Sequence, residues 1–207
     1  MMVSTGWSRL QSPPKRGRGK RVLPALLASL VWVAVASAQQ RAIDTKTSVM
    51  TVRVYKAGVF SALGHNHQIS APITGGAIDT SARQVELRAN AAALQVRDPD
   101  VSDKDRAQIQ NTMLGPEVLD AEHHAEIVFR STGVEPMGAG SWQVHGNLTL
   151  RGQTKPIEVQ VREASGHYVG TSRFRQTDFG IKPVKVAGGA IQVKDEIRIE
   201  FDIQLAR

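Results

Sequence analysis

The chain contains no cysteine. That excludes thiolate metal sites, iron–sulfur clusters, covalently attached c-type haem, disulfides, a Cys nucleophile and a lipidated N-terminal Cys, leaving only oxygen and imidazole chemistry. Aromatic residues make up just 5% of the sequence, which argues for a smooth aliphatic interior rather than a platform for stacking sugars or bases. Apolar runs long enough for a membrane helix are missing too. The run from Val22 to Ala36 has 15 residues, against the roughly 20 needed to cross a bilayer. No G-x-S-x-G, phosphate loop or dinucleotide fingerprint is present, so isolated Ser, Asp and Glu residues do not assemble into a catalytic set and no enzyme activity is expected.

Acidic residues are absent from the first 38 positions, where six of the 26 basic residues lie (Arg9, Lys15, Arg16, Arg18, Lys20 and Arg21). The formal net charge of +7 therefore comes almost entirely from this leader, and the remainder is nearly neutral. Such a balance gives no general attraction to phosphates, and no nucleic-acid partner is expected. The leader has the layout of a secretory signal peptide: a basic stretch to Arg21, the apolar run, then Ala36-Ser37-Ala38 as an A-x-A cleavage site. The expected organisation is a signal peptide over residues 1–38 and one domain over residues 39–207, located in the periplasm or secreted.

Beyond the leader the hydrophobic period is two almost everywhere. In Ser141 to Leu150, Trp142, Val144, Gly146, Leu148 and Leu150 alternate with polar residues; Ile157, Val159 and Val161 do so in Thr154 to Ala164. The final segment puts Ile197, Ile199, Phe201, Ile203 and Leu205 opposite Arg198, Glu200, Asp202 and Gln204. Strict alternation predicts antiparallel strands with one buried and one wet face. Similar segments start at Val49, His65, Gly75, Gln84, Glu126 and Tyr168, and Gly75-Gly76, Gly133, Gly138, Gly140, Gly152 and Gly166 are read as turns between strands. Eight or nine short strands predict an all-β sandwich or closed barrel. The exception is Asp98 to Leu114, where acids and Ser102 open a helical pattern of Ile109, Met113 and Leu114 that Gly115-Pro116 stops. A single helix inserted there would cover an open end or edge of the sheet. The acids of this segment lack EF-hand spacing, so helix capping is the expectation for them.

Several strings then coincide with a known family. Gly146-Asn147-Leu148-Thr149-Leu150-Arg151-Gly152-Gln153-Thr154-Lys155-Pro156 resembles the hairpin of the YceI-like, polyisoprenoid-binding domain. Asp178-Phe179-Gly180-Ile181 is similar to its D-F-G-I, and Ile127 to Thr132 to its I-x-F-x-S-T strand. The resemblance covers essentially the whole chain after the leader. It implies an antiparallel lipocalin-like barrel of about eight strands, exported in bacteria, with an elongated apolar cavity for a long isoprenoid such as a quinone tail. Where the family has an apolar string after the first strand, this sequence has Phe60-Ser61-Ala62-Leu63-Gly64-His65-Asn66-His67.

Candidate ligand-binding residues are Phe60, Leu63, Phe129, Trp142, Leu148, Val159, Phe174 and Phe179, with His65 and His67 at the mouth. Each apolar member is first of all a core residue and only second a ligand-lining one, because an alternating strand buries that face with or without a ligand. His65 and His67 fall on one face of a strand, so the pair can be a hydrogen-bonded fixture, a clamp on a ligand head, or two ligands of an incomplete metal set. The leading expectation is a carrier for an amphipathic lipid, without an obligatory cofactor, whose bound ligand is an isoprenoid or quinone and which touches membranes transiently. A His-dependent metal or redox protein and a filled structural or interaction domain are the rivals, and the oligomeric state stays open.

Overall fold

The computed structural model describes residues 40–58, 66–186, 188 and 190–207. The expected signal peptide, Phe60, Leu63 and His65 lie outside the described residues.

The described residues form twelve strands: β1 (Gln40–Ala42), β2 (Val49–Ala57), β3 (His67–Ser70), β4 (Ile73–Asp79), β5 (Gln84–Asn90), β6 (Gln95–Val96), β7 (Glu126–Gly138), β8 (Ser141–Leu150), β9 (Gln153–Ala164), β10 (His167–Arg175), β11 (Lys185–Val186) and β12 (Ile191–Ile203). They form one antiparallel sheet in the order β1-β4-β5-β7-β8-β9-β10-β12-β2-β3-β6, with β11 on β12. Two bent staves close it. β3 and β4 form one continuous segment interrupted at Ala71-Pro72, because proline has no N–H to donate to the ladder. β5 and β6 form another, broken by a single 3₁₀ turn at Ala91–Ala93 that Asn90 caps. These staves pair with each other through both halves, β4 on β5 and β3 on β6, while β3 also pairs with β2 from Thr51↔Ser70 to Val54↔His67. Hydrogen bonding therefore runs round a ring of eight staves, an all-β, lipocalin-like barrel. Closure removes the exposed edges that an open sheet would present.

The barrel has two unlike ends. Tight hairpins at Thr80–Arg83, Ala139-Gly140 and Ser165-Gly166 form one. The other carries helix α1 (Asp103–Leu114), the loop that follows it, and the segment between β10 and β12. The helix begins where Ser102 accepts from Asp105 N–H and ends at Gly115, as the sequence predicts. Three glycine assignments need correction. Gly75 and Gly133 sit at register shifts inside β4 and β7, and Gly76, with φ +149°, continues β4. Gly75 and Gly133 thus mark bulges, which curve the sheet without ending it, and Gly76 is a regularly paired strand residue opposite Leu87.

At the helix end Phe179 and Ile181 are 0% and 1% exposed and plug the floor of the fold. Phe179 meets Phe174 edge-on at 5.2 Å. Arg151, at φ +50° in the β8–β9 turn, donates to the carbonyls of Gly180 at 2.9 Å and Pro116 at 2.7 Å, tying hairpin, plug and helix loop together.

Candidate ligand-binding lumen

The inner phases of the strands surround a lumen of about 700 Å³ that extends from one end of the barrel to the other. Leu148 and Val144 from β8, Val159 from β9, Phe174 from β10 and Val52 from β2 form its wall. Trp142 and Tyr168 line it at the hairpin end, their rings 6.1 Å apart. Helix α1 supplies Gln108, Ile109, Thr112 and Met113 at the opposite end. From Leu150 to Trp142 the wall covers about 26 Å of strand at ~3.3 Å per residue, or roughly 20 Å along the axis of a barrel with strands tilted ~40°. At ~30 Å³ per water-sized group, 700 Å³ holds roughly 20 chain carbons.

An eight-stranded barrel is narrow enough for side chains to fill it, so the empty volume needs an explanation. Part of it lies in how two phenylalanines are stored. A Cβ at Gly146 would collide with the ring of Phe129, and one at Gly170 with the ring of Phe201. Each ring thus covers a glycine on the neighbouring strand, the position that lets an aromatic lie along the wall instead of projecting across the lumen.

The sequence-predicted residues are distributed accordingly. His67, Phe129, Trp142, Leu148, Val159 and Phe174 all line the lumen. Phe179 does not: it is wholly buried behind Phe174 in the plug, since the turn Gln176–Phe179 folds its side chain away from the strand phase. His145 sits on the outer face within 3.5 Å of Glu135, and His123 pairs with Asp120 at 2.7 Å on the surface.

His67 opens β3, and its Nδ1 lies 2.6 Å from Oδ2 of Asp98, a side chain only 3% exposed. The other carboxylate oxygen of Asp98 accepts from Gln68 N–H, also at 2.6 Å. The Asp98 carbonyl in turn receives the Arg106 guanidinium at 3.1 Å. Asp98 thus departs from the helix-capping role expected of the acidic segment, which Ser102, Asp103 and Asp105 fill instead. A partner 31 residues away in sequence leaves no local signal. Lys56, Gln108 and Gln192 line the lumen at the same end. Among the described residues no three His, Cys, Asp or Glu side chains converge as a metal site.

Closed eight-stave architecture, an end-to-end apolar lumen and a helix over one mouth define a lipocalin-like barrel of the binding or carrier type. The chain belongs to the YceI-like family, whose domain matches residues 42–205. It is 28% identical over 176 residues to a UPF0312 protein of Shewanella sp. (strain W3-18-1), covering 79% of this chain and 88% of that one. The UPF0312 protein of Shewanella oneidensis is 27% identical over the same spans. Among solved structures BcnA of Burkholderia cenocepacia is similar in fold, with a TM-score of 0.52 at 17% identity, covering 80% of this chain and 99% of BcnA. The family strings interlock in space: Gly146 of the hairpin accommodates Phe129 of the I-x-F strand, and Arg151 of the hairpin holds Gly180 of D-F-G-I.

Proposed function

We propose that this protein is an exported, non-enzymatic carrier, periplasmic or secreted, that shelters a long-chain isoprenoid, a quinone tail or a similar amphiphile inside the barrel. The observation that carries this reading is the continuous apolar lumen of about 700 Å³. Each CH₂ transferred from water to an apolar wall contributes ~0.8 kcal/mol, so a tail of a few isoprene units has ample driving force without a reacting group or cofactor. His67 at the helix end provides a polar contact for the head while the tail fills the wall-lined interior, and transient membrane contact supplies or receives the lipid.

Trp142 is the one tryptophan after residue 38 and lines the lumen, so its fluorescence reports occupancy. Saturable change in Trp142 emission on adding geranylgeraniol, with a stoichiometry near one, is the expected result. No change with any chain from ten to thirty carbons, together with no retention on gel filtration, would sink the carrier reading.

A further inference from the structure

We propose that the His67–Asp98 pair is a head-binding site that selects amphiphiles ending in a hydroxyl donor, such as a polyprenol or a quinol, and points their tails toward Trp142. The inference rests on the carrier reading and adds to it the polarity and chemistry of the ligand.

Three observations lead there. First, the two mouths differ: the hairpin end has exposed polar side chains at Arg83 and Gln84 above the Trp142–Tyr168 pair, whereas the helix end holds a buried carboxylate on a lumen-lining imidazole. A buried carboxylate is retained only with partners that satisfy it, so Asp98 has a definite hydrogen-bonding arrangement. Second, that arrangement fixes the ring. Both carboxylate oxygens act as acceptors, Oδ1 toward Gln68 N–H and Oδ2 toward His67 Nδ1. This geometry places a proton on Nδ1, and in the neutral tautomer so oriented Nε2 is an acceptor. Third, Nε2 has no hydrogen-bond partner among the described residues, on a side chain that lines the lumen and is 17% exposed. An acceptor held on a rigid strand at the edge of an apolar cavity matches a ligand O–H. An ether or aldehyde, which has no donor, makes no hydrogen bond to Nε2.

Asp98 is a positioning residue, and replacing it tests the argument more sharply than removing it. In Asp98→Asn the Gln68 N–H still requires an oxygen, which directs the amide NH₂ toward Nδ1. The tautomer then inverts, Nδ1 becomes the acceptor and Nε2–H the donor, as amide-for-carboxylate replacement does to an oriented histidine. The ether and the aldehyde then gain a partner while the alcohol, whose oxygen also accepts, keeps one, so the preference disappears through tighter binding of the two poorer probes, an outcome that a merely structural role for Asp98 does not produce.

The experiment compares geranylgeraniol, its methyl ether and geranylgeranial by Trp142 fluorescence on the mature protein. Expected for the unmodified chain is a roughly three- to tenfold preference for the alcohol, the size of one hydrogen bond. Asp98→Asn should bring the ether and the aldehyde up to the affinity of the alcohol, erasing the preference. His67→Phe, which keeps a ring in place and guards against failure of the Asn variant to fold, should bind all three equally. Equal binding of the three probes by the unmodified chain, or an alcohol preference that survives His67→Phe, overturns the head-site proposal and leaves the carrier intact. Failure of all three to bind overturns both.

Discussion

Replacing Leu148 with tryptophan separates an open lumen from a packed one. Leu148 lies near the helix end of β8, opposite Phe129 on β7 and Lys155 on β9, and its side chain lines the lumen. The indole adds about six non-hydrogen atoms, each displacing about one tail carbon worth ~0.8 kcal/mol. Complete displacement would cost about 5 kcal/mol; a flexible tail that bends round half of the obstruction loses about 2 kcal/mol, or roughly thirtyfold in affinity. The ligand-free protein should scarcely notice, because the new ring enters empty space. In a filled interior the same change overpacks the core at about 1–3 kcal/mol, which in a domain of this size lowers Tm by roughly 2–12 °C. The assay is paired: retention of tritiated geranylgeraniol on gel filtration, and thermal unfolding of delipidated protein. Loss of retention with Tm held within ~2 °C is the expected outcome. A large drop in Tm, in a protein whose unmodified form retains no lipid, would refute the open-lumen reasoning and favour a structural role.

Three further outcomes follow from particular residues. N-terminal sequencing of the exported protein should begin at Gln39, and a mature form still carrying Val22 to Ala36 in the membrane pellet would contradict the cleavage expectation. Phe179→Ala should cost about 3–5 kcal/mol in urea unfolding, since a fully buried ring is removed from the plug, and a loss below ~1 kcal/mol would show that the plug collapses freely. The hydrogen bond from His123 holds Asp120 below its usual 3.8, and in return Asp120 raises His123 above 6.5. The Asp120 contribution is present above pH 3.8 and lost as pH falls through its lowered value, while that of His123 is complete below 6.5 and lost as pH rises through its raised value, so the pair is strongest between about 3.8 and 6.5. In an imidazole NMR titration His123 should titrate above 6.5 and return toward it in Asp120→Asn.

Period-two alternation located most staves, because a barrel wall has one wet and one dry face at nearly every residue. It failed where the backbone departs from a simple ladder. β7 runs on to Gly138 through a bulge at Gly133, and the short β6 follows a 3₁₀ turn of three alanines that carries no alternation. Local signals were sufficient for α1, whose Ser102 cap and Gly115 stop are both sequence-adjacent. The lumen wall was legible as a set of apolar phases, but its being open was not. That depends on Phe129 and Phe201 lying over glycines of other strands, a property of register rather than composition. The polar site was half visible. His67 stood out as a histidine in an apolar phase, whereas Asp98 looked like one of several acids beside a helix until folding brought it to Nδ1. Phe179 belongs to a recognisable string, yet that string builds the plug and leaves the ring out of the lumen.

Mass spectrometry of organic extracts from protein purified out of its native compartment tests the carrier account most directly. The account predicts close to one long-chain isoprenoid or related amphiphile per chain, absent from an equal amount of Leu148→Trp protein prepared in parallel. Extracts of the unmodified protein with no lipid above background, combined with no uptake of geranylgeraniol by the delipidated barrel, would contradict it.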